Sequence, residues 1–195
     1  MRLFTPDDVA PVDPLRPFGW YVGRVVASWN GDGRNMTLTE RFAYFDPEGN
    51  EWDAPAGSVV DGASIPRIAW SAIGGPFEGL YRDASVIHDV ACDRRTALSS
   101  DEVHRAFYWA MRASNVQPIQ AKVMYAAVYH FGPQWVMVAS ADPSMVWMTP
   151  HYLTDEQFQD LSSEIARREV EGAPMAFAEI ESYRKPLGAP PPGWV

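Results

Sequence analysis

The stretch ASVIHDVAC, residues 84–92, places a histidine and an aspartate side by side within an otherwise apolar segment. Positions 84, 87, 88 and 91 follow the i, i+3, i+4, i+7 spacing of one helix face, and Cys92 lies one turn after His88. This pattern predicts a helix over about residues 78–95 with His88 on its inward side. The question is whether His88 and Asp89 form a reactive site or are polar residues satisfied within a core.

The next segment predicts a second helix that brings another histidine towards His88. Ser99 and Glu102 have the spacing of a capping box, which marks a helix start, and His104 lies beside the apolar positions 103, 107 and 111. A connection of only four residues, 96–99, predicts that the two helices are antiparallel neighbours. Counting outward from its midpoint puts Cys92 nearly level with His104 and His88 about one turn away, so we expect His104 to reach either residue.

The segments before this helix pair predict strands first and a short helix afterwards. Residues 19–29 and 36–45 are rich in β-formers, and the turn signal DPEGN follows at 46–50, which indicates a hairpin or small antiparallel sheet. After residue 55 the hydrophobic period changes to that of a helix. Ser64 is predicted to cap a short helix that ends at Gly74 and Gly75.

The segments after the pair predict more helix and a proline-rich end. One helix follows Pro118 and ends at Gly132, a short strand is predicted within QWVMVAS (134–140), and Thr154 with Gln157 opens another amphipathic helix. The fold class predicted is therefore α+β, with a small N-terminal antiparallel sheet packed on a bundle of about four helices. Residues 1–171 are expected to form one domain, and residues 172–195 a Pro-rich C-terminal extension.

Composition limits the classes of partner and compartment. The chain has 195 residues, 47% of them hydrophobic, and a net charge of −9, which disfavours nucleic acid as a partner. Its single cysteine, Cys92, excludes an internal disulfide framework. The acidic, proline-containing N-terminus lacks the features of a signal peptide, and no window has the apolar length of a transmembrane segment, so we expect neither.

Three interpretations of the histidine pair remain open from the residues alone. In the first, His88 is a buried structural histidine bonded to a backbone carbonyl or to Asp61, and Asp89 faces solvent. In the second, His88 is a general base and Asp89 holds a hard cation. In the third, His88, Cys92 and His104 bind zinc, although their spacing matches no familiar zinc finger. Ser64 is interpreted as a helix cap rather than a nucleophile, since no G-x-S-x-G elbow surrounds it.

Four ordered motifs resemble an uncharacterised domain family that is common in tailed phages and prophage-bearing bacteria. They read PAGSVVDGASIPRIAW, RDASVIHD, SSDEVHRAFYWAMRASNV and KVMYAAVYHFG, and the resemblance covers about residues 54–132. It implies a phage or prophage origin, with a role in the virion, in lysis or in host interaction. The expected location is then the host cytoplasm or the virion, and the Pro-rich tail is expected to contact other phage structural proteins.

The stretch GGPFEGLYRDASVIHDVAC, residues 74–92, is also similar to the His-Asp helix of phospholipase A2 enzymes. That similarity implies a calcium ion held by Asp89 and the carbonyls of Gly74 and Gly75, with His88 as the base for an acyl-ester hydrolysis. The places of that class's tyrosine and second aspartate hold Cys92 and His104 here. A neutral histidine does not stabilise an imidazolium as a carboxylate does, so the resemblance implies a hydrolase, active or degenerate.

Two functions therefore follow from the sequence, and an inhibitor of a host enzyme is a third option that only the acidic composition indicates. The first is a small metal-assisted hydrolase that uses His88, Asp89 and His104, with calcium as the expected ion and zinc as the alternative. The second is a non-catalytic component of a virion or of its assembly, indicated by the phage-like motifs and by the aromatic residues near both ends.

Overall fold

A computed structural model describes residues 15–32, 34–61, 79–94, 99–137, 146–147 and 153–183. The architecture is α+β, as predicted: small antiparallel sheets on the N-terminal side precede the helices. The strands are β1 Trp20–Val22, β2 Ala27–Trp29, β3 Met36–Leu38, β4 Phe42–Phe45, β5 Glu51–Ala54, β6 Val59–Val60, β7 Val136–Met137 and β8 Val146–Trp147. The helices are α1 Arg82–Arg94, α2 Ser100–Ala113, α3 Pro118–Phe131, α4 Asp155–Val170 and α5 Phe177–Glu181.

The N-terminal strands form two three-stranded sheets rather than one. Their orders are β1-β4-β5 and β2-β3-β6, and every pairing is antiparallel. The predicted turn at 46–50 joins β4 to β5: Asp46 Oδ1 accepts from the backbone N–H groups of Glu48 and Asn50, both at 2.9 Å. Gly49 has φ +86°, a conformation that favours glycine at this turn.

The helices begin where the capping signals predict. The capping boxes Ser99–Glu102 and Thr154–Gln157 are both formed, at the starts of α2 and α4, and Pro118 is the first residue of α3. Helix α1 starts at Arg82, later than the predicted residue 78, because residues Gly79–Tyr81 form a 3-10 turn. The short strand predicted within residues 134–140 is present as β7.

One hydrophobic core joins the sheets and the helices. Helix α2 packs against α1 and α3, α3 packs against α4, and β5 and β6 contact α1. Met175 and Ile180 belong to this core, although the sequence assigned both to the C-terminal extension. Helix α5 lies within the segment that was expected to be a Pro-rich extension. Ile180 is the one buried residue among its five, so the segment shows no periodic apolar pattern that would predict a helix.

Several expectations concern residues outside those described. These are the N-terminal residues 1–14, the short helix after Ser64 with Gly74 and Gly75, and the proline-rich end 184–195. Within the described residues, no helix combines the length and apolar character required to cross a bilayer.

Candidate functional site

Two buried histidines meet between α1 and α2. The Nε2 atom of His88 lies 3.0 Å from Nδ1 of His104, and the two residues are 1% and 0% exposed. The expectation that His104 reaches His88 is therefore confirmed, and Cys92 contacts His88 rather than His104. The contact follows from helical spacing on α1 and from Ser99 as the N-cap of α2.

The hydrogen bonds of His104 fix the direction of the whole arrangement. Its Nε2 lies 3.0 Å from the backbone oxygen of Pro133, and a carbonyl oxygen only accepts, so Nε2 carries the proton. In the neutral ring Nδ1 is then the acceptor, and Nε2–H of His88 donates to it. Nδ1 of His88 consequently carries a lone pair. The Sγ atom of Cys92, one turn later on α1, lies 3.9 Å from this Nδ1 and 3.6 Å from Nε2.

Aromatic rings surround the histidine pair and exclude water. The Phe107 ring lies 4.7 Å from that of His88 between centroids, and Tyr129 and Trp135 present ring edges to His104 at 6.4 Å. Burial lowers the pKa of His104 to about 4. Burial and, to a lesser degree, His104 lower the pKa of His88 well below the usual value for histidine. Both rings are therefore neutral near pH 7.

A cleft of about 300 Å³ lies next to the pair. Its lining residues come from the position before β3, from β6 and the position after it, from α1, and from the loop after α3: Asn35, Val59, Asp61, Asp89, Cys92, Asp93 and Pro133. Cys92 both contacts His88 and lines this cleft, and Pro133 both lines it and accepts from His104. The buried His88 is therefore separated from the cleft only by the Cys92 side chain.

The aspartates near the cleft are placed differently from the first interpretation. Asp61 pairs with Arg34 at 3.0 Å, and the recorded partners of His88 are His104 and Cys92. Asp89 is only 6% exposed and lines the cleft, whereas that interpretation had it facing solvent. The reason is that α1 is covered on this side by β6, which the helical pattern of α1 alone could not show.

The zinc and calcium interpretations involve different residues. Among the described residues, no group of three or more His, Cys, Asp or Glu side chains is placed to hold a metal ion. The trio His88, Cys92 and His104 therefore gains no support as a zinc site, since its two imidazoles are hydrogen-bonded directly to each other. The calcium interpretation uses Asp89, which lines the cleft, and Gly74 and Gly75, which lie outside the described residues.

Sequence reasoning missed the groups that complete this site. Asn35 comes from β-rich sequence 53 residues before His88 (88 − 35), and the accepting carbonyl belongs to Pro133, after α3. A backbone carbonyl leaves no trace in residue identity. The only available signal was the Gly132-Pro133 helix stop, which predicts a chain reversal but not its partner.

Comparisons with known proteins show that part of this chain is similar to a family whose function is unknown. The family model described as "Protein of unknown function (DUF1353)" matches residues 36–128, which include α1, α2 and most of α3. The chain is 50% identical over 100 residues to uncharacterized protein y4jT of Sinorhizobium fredii, and 41% identical over 105 residues to uncharacterized protein y4iH of the same organism.

These matches cover only part of each chain. They span 51% and 54% of this chain, and 30% and 44% of y4jT and y4iH respectively. No solved structure gives a significant match. The family match includes His88, Asp89, Cys92 and His104, so the whole candidate cluster lies in the matched segment.

Proposed function

We propose that this protein is a hydrolase of acyl bonds in which Cys92 is the nucleophile, His88 its base and His104 the residue that orients His88. The observation that carries the proposal is the directed series of hydrogen bonds in which His88 Nε2–H donates to His104 and His104 Nε2–H donates to the Pro133 carbonyl. It leaves the Nδ1 lone pair of His88 on the ring that contacts the Cys92 thiol. Nucleophilic catalysis requires a nucleophile in contact with a base, and a third group that orients the base.

The reaction is balanced with water as the co-reactant. The Cys92 thiol gives its proton to Nδ1 of His88, and the sulfur forms a bond to the acyl carbon. The carbon–oxygen bond of the ester then breaks, and the leaving alkoxide takes the proton from His88. Water hydrolyses the thioester with His88 again as base, which returns the thiol and releases a carboxylic acid.

The hydrogen-bond directions allow His88 to take this proton. With Nε2–H already donated to His104, a second proton at Nδ1 breaks no existing bond in the pair. Burial nevertheless disfavours the imidazolium, and His104 does not offer the negative charge that an aspartate would. We therefore expect slow turnover, with the base form of His88 available throughout the neutral pH range.

The charge of the cleft selects the substrate. Asp61, Asp89 and Asp93 all line it, so an anionic substrate is repelled and a neutral or cationic ester is favoured. The similarity to phospholipase A2 enzymes implies that Asp89, together with the carbonyls of Gly74 and Gly75, would hold a calcium ion. When bound, that ion would offset the carboxylate charge and admit a phosphate-bearing lipid ester.

The test is a panel of esters incubated with the purified chain, with calcium or with EDTA. The panel contains p-nitrophenyl butyrate as the neutral ester, lysine methyl ester as the cationic ester, and phosphatidylglycerol vesicles as the anionic lipid. We expect the first two to be hydrolysed without calcium, and an acyl adduct on Cys92 in intact-mass measurements. Cys92→Ser and His88→Gln should each lower the rate by about a hundredfold or more.

The matched control is His130→Gln. His130 is also buried in a helix, but it bonds to the backbone oxygen of Ile180 and lines no part of the cleft. This variant should keep the rate of the unmodified protein. Equal rates in Cys92→Ser and the unmodified protein would remove Cys92 as the nucleophile, and no hydrolysis in any arm would overturn the enzymatic proposal.

The second candidate is a non-catalytic structural or assembly component, in keeping with the phage-like motifs. What favours it is the complete burial of both histidines, whose hydrogen bonds also serve to fix the α1–α2 packing. Under this proposal His88→Gln lowers the free energy of unfolding but no ester is hydrolysed. Mass spectrometry of purified particles from a lysogenic host should then find the chain in stoichiometric amounts.

A further inference from the structure

A second pocket lies on the other side of α2, away from Cys92. Its volume is about 240 Å³, and it is bounded by the β4–β5 turn, by α2 and by α5. It shares no lining residue with the cleft at Cys92. A cavity below the usual range for whole drug-sized ligands suits a single head group or one side chain.

Three aromatic side chains line this pocket: Trp52, Trp109 and Phe177. The rings of Trp109 and Phe177 meet almost at right angles, 86°, with centroids 5.5 Å apart. Trp52 lies deeper and donates its indole N–H to Asp46 Oδ2 at 2.9 Å. The guanidinium carbon of Arg105 lies 5.9 Å from the Phe177 ring centroid. The protein thus already places one of its own cations against an aromatic ring of this pocket.

The charge of the pocket is negative and lacks a counter-ion among the described residues. Asp46, Glu48 and Glu102 line it, and none of them has a recorded ion pair in the described part of the chain. Asp46 is 5% exposed, and its recorded hydrogen bonds come from uncharged N–H donors. Among the lining residues that the structure describes, Arg105 is the one cation, and its guanidinium donates to both carboxylate oxygens of Glu181.

We propose that the pocket lined by Trp52, Trp109 and Phe177 binds an organic cation, a substituted ammonium or guanidinium group. Trp109 and Phe177 line the pocket with aromatic surface that stabilises a nearby cation, and the carboxylates supply negative charge that Arg105, already paired with Glu181, does not neutralise. A metal cation would gain little from the rings, and a neutral apolar group would leave the carboxylates without a counter-ion. The combination of walls and charge therefore specifies an organic cation.

The experiment compares three small ligands on the full chain at constant ionic strength. Choline tests the ammonium, methylguanidine tests the guanidinium, and 3,3-dimethylbutan-1-ol is the neutral isostere of choline. Binding is measured by titration calorimetry and by the indole N–H resonance of Trp52. We expect at least one cation to bind and to shift this resonance, and the neutral isostere to bind at least about tenfold more weakly.

Variants separate the two contributions. Trp109→Leu should weaken cation binding by about tenfold, and Trp29→Leu, at an exposed tryptophan outside the pocket, should not change it. Glu48→Gln should weaken binding severalfold, whereas Glu40→Gln changes the net charge equally without altering the lining. Glu48 and Glu40 are both exposed, so neither substitution threatens folding.

Two results would overturn the proposal. One is equal affinity for choline and its neutral isostere, which would make the pocket an apolar cavity. The other is no heat and no shift of the Trp52 resonance with either cation. Hydrolysis at Cys92 is measured separately, so the failure of one proposal leaves the other intact.

Discussion

His104 and Arg105 are adjacent on α2, yet their side chains enter two different kinds of polar centre. His104 joins the neutral pair with His88, where the shortest contact is 3.0 Å. Arg105 donates to both oxygens of Glu181 at 2.7 to 2.9 Å, and Glu181 also accepts from the Tyr125 hydroxyl at 2.6 Å. One centre contains only uncharged rings, and the other is built on an ion pair.

The difference shows what burial does with and without a counter-charge. At the histidine pair burial is the largest effect and no carboxylate opposes it, so the pKa values fall and the rings are neutral. At Arg105 burial is again the largest single effect and lowers the pKa, but the hydrogen bonds and charges of Glu181 and Tyr125 together raise it by more, and the guanidinium stays charged. The neutral centre therefore places two uncharged rings beside the Cys92 thiol, whereas the ionic centre connects α5 to α2.

The largest expected effect comes from acid acting on the neutral centre. The pKa of His104 is about 4 in the folded protein, against about 6.5 in the unfolded chain, so its stabilising effect is complete above pH 6.5 and is lost as pH falls. Between pH 6.5 and 4 this loss is roughly 3 kcal/mol from His104 alone. In His104→Gln, the free energy of unfolding measured with urea should fall less steeply as the pH is lowered over this range. An unchanged slope in that variant would refute the neutral pair.

His130→Gln is the control for this experiment. It removes a buried histidine whose recorded partner is the Ile180 carbonyl, and it leaves the pair intact. The steep decline below pH 6.5 should therefore persist. A second proton on the pair would place two N–H groups face to face between His88 and His104, so the decline should continue below pH 4.

A smaller loss is expected at the ionic centre. Glu181→Gln removes the charge that Arg105 faces but keeps an oxygen for the Tyr125 hydroxyl, because glutamine retains one carbonyl. Since Arg105 is 44% exposed, solvent moderates the effect, and we expect a loss of about 2 kcal/mol. Urea unfolding at pH 7 measures it, and added salt should narrow the difference between the two proteins.

Glu171→Gln serves as the comparison for that loss. Glu171 pairs with Arg167 on the surface of α4, where both side chains are more than half exposed. Its removal should change the free energy of unfolding less than that of Glu181. Equal losses from the two substitutions would mean that the Arg105–Glu181 pair behaves as an ordinary surface pair.

The sequence predicted one of these two centres and not the other. The position of His104 near His88 followed from local information: helical spacing on α1, a short connection, and the Ser99–Glu102 capping box that fixes where α2 begins. Arg105 and Glu181 are 76 residues apart, and their meeting depends on α5. That helix has five residues, too few for a periodic pattern to identify.

The number of sheets, their strand pairing and the cleft could not be predicted, for a related reason. Strands of three or four residues fit more than one pairing, and the choice between one sheet and two depends on contacts with α1 and α2. The tautomer of His104, and with it the lone pair on His88, depends on the Pro133 carbonyl, which carries no signal in residue identity. Local signals thus located the helices, while long-range contacts determined the chemistry.

The smallest expected effect tests whether both centres depend on the start of α2. The Ser99 hydroxyl accepts from the Glu102 backbone N–H, so Ser99→Ala should cost about 1 kcal/mol by leaving that donor without its cap. His104 and Arg105 follow within the next turn and a half of the helix. Hydrogen exchange should therefore quicken at both centres.

Thr154→Ala is the matched comparison, because Thr154 caps α4 in the same way. It should cost a similar amount, yet leave exchange around residues 104 and 105 close to that of the unmodified protein. A loss with Ser99→Ala that quickens exchange at only one of the two residues would show that the centres are held independently, by His88 on one side of α2 and by Glu181 on the other. An equal rise in the exchange rates at residues 104 and 105 would show that the start of α2 positions both side chains, since both follow its first turn.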